Sequence, residues 1–180
     1  MDTERAILIS GSPSPSSKSR TLLERARHQL EAAGFDSTVV DLASLPAVAL
    51  LGRQGDDRVA DTIQLVLGSR IVVASSPVYR ATYSGLLKTF FDLLPQDALV
   101  GKIGLPILTG GSQAHLLALD HSFRPLFASI GAVVGTGVYG HDAQFKPGGP
   151  DSALIERVDR AVEEAVALAR ATIEAGIEKR

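Results

Sequence analysis

Short apolar runs alternate with longer amphipathic stretches along this chain. Residues 6–10 begin with the apolar run Ala6, Ile7, Leu8 and Ile9 and predict a first strand. Residues 19–33 predict a helix, because Leu22, Leu23, Ala26 and Leu30 are spaced to share one face and Gly34 can stop it. The β-branched run Thr38, Val39, Val40 places a second strand over 35–42. Residues 43–55 hold Pro46, Gly52 and Gly55 and predict a loop. That loop carries Val48, Leu50 and Leu51, which suit a partner surface or a site wall. A second helix follows over 56–68, with Val59, Ile63, Val66 and Leu67 inward. Residues 69–74 are apolar through their centre, as in a strand covered on both faces.

Further along, 75–82 reads as a loop and 83–94 as a helix ended by Pro95. Residues 102–108 predict a fourth strand, with Pro106 inside it, and 109–112 a turn. Residues 114–130 predict a helix broken or kinked near Pro125. A fifth strand is expected over 132–138 and an irregular stretch rich in Gly and Pro over 141–150. The chain closes on a long amphipathic helix, 151–175, with Leu154, Val158, Val162, Ala165 and Leu168 on one side.

Five strands alternating with helices imply an α/β fold, with a parallel sheet, right-handed crossovers and helices on both faces. The 180 residues suggest a single domain spanning 1–180. In such sheets ligands bind beyond the carboxyl ends of the strands. Three loops, 10–19, 75–82 and 109–114, leave those ends and are expected to meet in one crevice. A net charge of −2 gives no sign of nucleic acid or of an anionic membrane as partner. The absence of cysteine excludes disulfides, thiol redox chemistry and Cys-based metal sites, and fits a reducing compartment. The first residues lack a signal-peptide pattern and no apolar run is long enough to cross a bilayer, so the expected location is the cytoplasm.

The first loop is unusual. Between the first strand and the first helix lie six hydroxyl residues, Ser12, Ser14, Ser16, Ser17, Ser19 and Thr21, together with Lys18 and Arg20. A helix start carries free N–H groups and favours negative charge, so the loop suits one phosphate; the same residue types also serve as ordinary helix caps. In the second loop Pro77 stiffens the backbone, while Val78 and Tyr79 offer flat apolar contact. In the third, Gly110 and Gly111 permit close approach of a ligand to the backbone. A phosphate cradle beside two loops suited to a planar ring points to a mononucleotide with a large aromatic system. FMN fits better than a dinucleotide, because Gly-x-Gly-x-x-Gly is absent after the first strand, as is the Walker motif.

Gly11-Ser12-Pro13, then Pro77 to Lys88, then Thr109-Gly110-Gly111 resemble the NAD(P)H-dependent FMN reductases of flavodoxin-like fold. The stretch from Gly110 to Pro125 is most similar to the reductases of two-component sulfonate monooxygenase systems. The resemblance spans about 6–145. It implies a flavodoxin-like three-layer sandwich with strand order 2-1-3-4-5. Carried over by position, Ser12, Ser17, Ser19, Arg20 and Thr21 would hold the FMN phosphate. Pro77, Val78, Tyr79 and Arg80 would lie along the ring, with Thr109, Gly110, Gly111 and Ser112 on its other side. Tyr83, Ser84 and Lys88 would open the third helix near the flavin, with packing and a solvated charge as the plain alternative for Tyr83 and Lys88. His115 would be near the flavin or the nicotinamide nucleotide. His121 matches a position where relatives insert a tyrosine that makes a π-bulge at the oligomer interface, the alternative being an ordinary interface or core histidine.

The implied activity is hydride transfer from NADPH or NADH to FMN, which is the cofactors' own chemistry and needs no catalytic side chain. Reduced flavin would pass to an FMNH2-dependent monooxygenase, and the protein would be a homodimer or homotetramer. A quinone or azo reductase of the same fold that keeps FMN bound is the alternative. An electron carrier ranks last, because the flavodoxin phosphate-loop pattern is missing. No metal site is expected: His115 and His121 lack paired ligand spacing, His28 reads as a solvated helix residue, and His141 as a loop residue without an obvious partner.

Overall fold

A computed structural model describes residues 4–174. The sheet has the order β2-β1-β3-β4-β5, formed by β2 (Asp36–Asp41), β1 (Arg5–Ser10), β3 (Ile71–Pro77), β4 (Ile103–Gly110) and β5 (Val133–Val134). A sixth strand, β6 (Val138–His141), continues the edge beyond β5 by pairing with β4. Every pairing in this sheet is parallel. The expected flavodoxin-like order and the helices on both faces are therefore present.

Alternation along the strands divides the core in two. Ala6 and Leu8 of β1, Ile71 and Val73 of β3, and Ile103, Leu105 and Ile107 of β4 face helices α1 (Lys18–Ala32) and α6 (Ser152–Glu174). Leu22, Leu23, Ala26 and Leu30 of α1, and Leu154, Val158, Val162 and Ala165 of α6, are buried against them as their spacing predicts. Residue 175, the expected end of the last helix, lies outside the described residues. The opposite face takes Ile7, Ile9, Val72 and Ala74 under α3 (Asp57–Gly68), α4 (Gly85–Phe91) and α5 (Arg124–Ser129). There Phe127 stacks on Phe123 with centroids 5.4 Å apart and meets Phe91 edge-on at 5.5 Å. Gly104 makes room for it, since a Cβ there would lie 2.7 Å from the Phe127 ring.

Several boundaries differ from the sequence reading. The 43–55 loop contains a single-turn helix, α2 (Ala47–Leu50), which buries Leu50 and leaves Val48 and Leu51 exposed. Strands β3 and β4 run on to Pro77 and Gly110, so the second and third loops start later than expected. The third helix begins at Gly85, which leaves Tyr83 ahead of its cap.

The fifth strand is split, and Pro106 explains the break. The carbonyl of Gly104 accepts from Gly135 N at 3.0 Å, so Gly104 turns its polar groups towards β5. Pro106, two residues on, faces the same side and has no N–H to offer. Opposite it the chain leaves the ladder through residues 135–137. Gly137 there has φ +77, and a Cβ on it would stand 2.9 Å from Pro106 Cγ. The stretch expected to be irregular carries a small hairpin, β7 (Phe145–Lys146) with β8 (Gly149–Pro150).

The segment after the third loop is broken rather than kinked. It passes through a 3-10 turn (Gln113–Leu116) and a π-turn (Leu119–Phe123) into α5. His121 sits in the middle of the π-turn. Pro125 follows at the start of α5 and has no N–H for the carbonyl four residues back, that of His121, so the helix widens where that bond is missing.

Candidate functional site

The three loops leave the carboxyl ends of β1, β3 and β4, which are adjacent strands. Ser10 pairs in register with Ser75, and Pro77 with Thr109. The Gly11 N–H donates to Ser75 O at 2.7 Å and the Val78 N–H to Thr109 O at 2.7 Å. Gly11 is pressed against α4, where a Cβ would stand 2.8 Å from that of Leu87. Ser84, buried at the cap of α4, donates to the Gly11 carbonyl and accepts from Leu87 N at 3.1 Å. Its own N–H donates to Ser76 Oγ at 2.8 Å. Ser84 is therefore a brace between the first loop and α4, with its hydroxyl fully used inside the protein.

In the first loop, Ser17 caps α1 by accepting from Arg20 N at 3.2 Å, and its hydroxyl lies 3.1 Å from that of Ser19. Ser12 and Ser19 are buried beside it. The N–H groups of Lys18 and Ser19 open the helix and have no acceptor among the described residues. Beneath them, Ser10 and Ser75 are fully buried on the α1 side of the sheet, and neither Oγ has a partner. Unpaired buried hydroxyls are costly. Two of them under a helix start with free N–H groups make a cradle suited to a phosphate, and this part of the expected site is brought together.

Two expected phosphate ligands point elsewhere. Thr21 is exposed, and its hydroxyl folds back towards Ser17 O at 3.4 Å. Arg20 places Nη1 2.8 Å from Asp41 at the end of β2, and Nη2 2.7 Å from Glu24 one turn along α1. Burial pushes the Glu24 carboxyl up, but its hydrogen bond from Arg27 and the charges of Arg20 and Arg27 outweigh this and leave it below the usual carboxylate range.

The third loop is held from behind. Tyr139 Oη lies 2.8 Å from Gly110 O and 2.6 Å from Ser112 O. Burial raises the Tyr139 phenol above its ordinary value, and the nearby Asp142 charge adds to the rise. His141, expected to be without a partner, accepts from Ala143 N through Nδ1 at 3.1 Å. That leaves the proton on Nε2, which donates to Gly111 O at 3.2 Å. Three successive carbonyls thus turn towards β6, while the N–H groups of Gly111 and Ser112 have no acceptor among the described residues. Such N–H groups suit the carbonyl and nitrogen acceptors along the edge of a planar ring. Gly110 has no room for a side chain: a Cβ would lie 2.8 Å from His115 Nδ1 and 3.2 Å from Tyr139 Oη. His115 is half-buried against it, its Nδ1 unpartnered.

The second loop ends in a two-residue turn. The N–H of Tyr79 donates to Thr82 O at 2.8 Å and that of Thr82 to Tyr79 O at 3.2 Å. Arg80 and Ala81 between them have φ of 51° and 66°. Both central residues are left-handed, as a tight hairpin of this type demands, and neither is glycine. Val78 is buried, while Tyr79 and Arg80 are exposed at the tip. Tyr83 packs on Phe123 of the π-turn, with centroids 5.4 Å apart, and its burial raises its phenol. Lys88 pairs with Asp92 along the exposed face of α4. These are the packing and surface contacts named above as the plain alternatives for the two residues. His121 is exposed on the π-turn and makes no hydrogen bond among the described residues. His28 is an exposed helix residue. Among the described residues, no three His, Asp or Glu side chains gather as a metal site, and no helix is long and apolar enough to cross a membrane.

Tyr139, His141 and Asp142 were not read from the sequence as site residues. Their partners in the loops lie about thirty or more positions away, and no local pattern marks such contacts.

Residues 5–145 match the family model described as NADPH-dependent FMN reductase. An FMN reductase (NADPH) of Pseudomonas putida is 40% identical over 173 residues, 91% of this chain and 88% of that protein. The NADH-dependent FMN reductase SfnF of Pseudomonas fluorescens is 37% identical over 134 residues, 71% of this chain and 72% of that protein. Among solved structures, an NADH:FMN oxidoreductase (EMOB) in its apo form superimposes with a TM-score of 0.85 at 31% identity, covering 94% of this chain and 90% of that one.

Proposed function

We propose that this chain, which belongs to the NADPH-dependent FMN reductase family, holds FMN across its three loops as an exchanging substrate and releases it reduced to a monooxygenase. Its reaction is the NAD(P)H-dependent reduction of FMN. The observation that carries the site reading is the pair of unpaired backbone N–H sets, Lys18 and Ser19 in the first loop, Gly111 and Ser112 in the third. The first suits the phosphate and the second the ring edge. Bound FMN supplies the hydride-accepting ring chemistry, and no side chain need act as acid or base.

What the protein contributes is placement. Ser12, Ser17 and Ser19 add hydroxyls to the cradle over Ser10 and Ser75. Pro77, Val78 and Tyr79 give one wall, and Thr109 to Ser112 the other. The open side beside Arg80 is left for NADPH or NADH. Exposed Leu116 and Leu117, 49% and 56% accessible just before the π-turn, favour a homodimer or homotetramer through this face. We place the protein in the cytoplasm as a single domain, a reading its lack of cysteine supports.

The test is oxidation of NADPH and NADH by purified protein as FMN is titrated in, with bound flavin measured beforehand. A colourless protein whose rate saturates with added FMN is the expected result. A yellow protein that turns over only with a quinone or azo acceptor overturns the exchanging-substrate reading. Light scattering that gives a monomer overturns the oligomer.

A further inference from the structure

The first loop has two cations, and both are already neutralised by carboxylates. Lys18 Nζ lies 3.1 Å from Asp142 Oδ1 and 5.4 Å from the centroid of the Phe145 ring. Arg20 is shared between Asp41 and Glu24. Three carboxylates thus face two cations at the point where free N–H groups and hydroxyls open towards a phosphate. Two of the three are delivered from other elements: Asp41 from the end of β2 and Asp142 from just after β6. Asp142 also lies against the third loop, its Oδ2 3.3 Å from where a Cβ on Gly111 would be.

We infer that Asp142 and Asp41 are affinity-tuning residues: by occupying Lys18 and Arg20 they weaken the binding of FMN through its phosphate. This rests on the reading of the first loop as the phosphate site. A phosphate ester carries nearly two negative charges at neutral pH. It meets N–H groups and hydroxyls that orient it, but its attraction to each cation is offset by a neighbouring carboxylate. A free guanidinium would add a two-pronged, charge-assisted contact with the phosphate. Recognition here is left to neutral donors, without the added attraction of an unpaired cation. Lys18 and Asp142 are each nearly half exposed, so the effect of that one carboxylate on affinity is modest, about threefold to fivefold.

The experiment measures dissociation constants for FMN and riboflavin by quenching of flavin fluorescence, at low and high salt. It compares the natural protein with Asp142→Asn, Asp41→Asn, and the double variant Lys18→Gln/Asp142→Asn. Asparagine keeps the shape of each side chain and removes its charge. The expected result for Asp142→Asn is FMN binding about threefold to fivefold tighter at low salt, with riboflavin unchanged. The gain should shrink at high salt and vanish in the double variant. Asp41→Asn should behave alike through Arg20. If the natural protein prefers FMN to riboflavin yet neither asparagine variant tightens FMN, the inference is overturned. Weaker FMN binding in Asp142→Asn overturns it too, and shows that Asp142 orients Lys18 towards the phosphate. Equal binding of FMN and riboflavin by the natural protein is a separate outcome, which removes the phosphate-loop reading itself.

Discussion

Tyr139→Phe removes one oxygen atom from the protein and tests the brace behind the third loop. The ring is 5% exposed and should stay packed. What is lost is the hydroxyl set between the carbonyls of Gly110 and Ser112 at 2.8 and 2.6 Å. Ser112 O keeps a donor, the N–H of His115 at 3.0 Å. Gly110 O loses the phenol, its one side-chain donor, at a half-buried position. A net hydrogen bond is worth about 0.5–1.5 kcal/mol, and a carbonyl left short of a partner adds to the loss, so about 1–2 kcal/mol is expected. For a chain of this size that lowers Tm by about 2–8 °C. Urea unfolding should show a lower midpoint at unchanged slope, because the surface exposed on unfolding is the same.

The same change reaches the site. With Gly110 and Ser112 less firmly held, the N–H groups of Gly111 and Ser112 are no longer fixed outward, and part of the ordering cost falls on ligand binding. FMN affinity should drop about fivefold, equivalent to about 1 kcal/mol. Riboflavin affinity should drop equally, since the phosphate end is untouched. An unchanged urea midpoint would refute the energetic reasoning. A lowered midpoint with intact FMN binding would refute the link from brace to site.

Other expectations follow from single features. Phe127→Ala empties a fully buried position between Phe91 and Phe123 under Gly104, and should cost about 3–5 kcal/mol in a denaturant titration. Ala81→Gly, at φ 66°, relieves a left-handed alanine and should raise stability by up to about 1 kcal/mol; a fall in Tm would show that the turn is not strained. Burial raises both Tyr83 and Tyr139, so the native state holds phenolic protons that the unfolded chain gives up near its ordinary value of about 10. Stability should be unaffected by these two groups below that pH and fall as pH rises above it, and urea midpoints in Tyr139→Phe should fall less steeply across the same range.

The apolar runs marked β1, β3 and β4 with boundaries within a few residues, because a strand covered on both faces must be apolar whatever its neighbours do, while β2, a half-buried edge strand, was marked by its β-branched residues. The fifth could not be bounded the same way. Its interruption at 135–137 is set by Pro106 on the adjacent strand, and a missing N–H is visible in the sequence only once the register is known. The π-turn had a local sign, Pro125 after an otherwise helical run, and a family resemblance that placed it at His121. The cap of α1 was legible at Ser17, with the hydroxyls of Ser12 and Ser19 beside it, because capping is local. Arg20 shows the limit of that reasoning. Its position next to a helix start suggests a phosphate ligand, yet Asp41, from a different strand, competes for it at 2.8 Å.

The two ends of the site follow one pattern. In the third loop, Tyr139 and His141 take the carbonyls and leave the N–H groups free. In the first, the start of α1 leaves N–H groups free, and Asp41, Glu24 and Asp142 take the cations. At both ends the proposed ligand meets neutral backbone donors, while the carbonyls beside one set and the cations beside the other are engaged elsewhere. Neutral donors fixed by a rigid frame select by shape and hydrogen-bond direction, whereas free cations select by charge and grip harder. On the proposed reading, in which FMN is taken in, reduced and released, the first arrangement adds no extra grip on the phosphate. The two loops can also be separated experimentally. On the proposed reading, Tyr139→Phe should weaken FMN and riboflavin together, while Asp142→Asn should tighten FMN alone; because Asp142 also lies against Gly111 of the third loop, a variant carrying both changes should depart from the sum of the two effects.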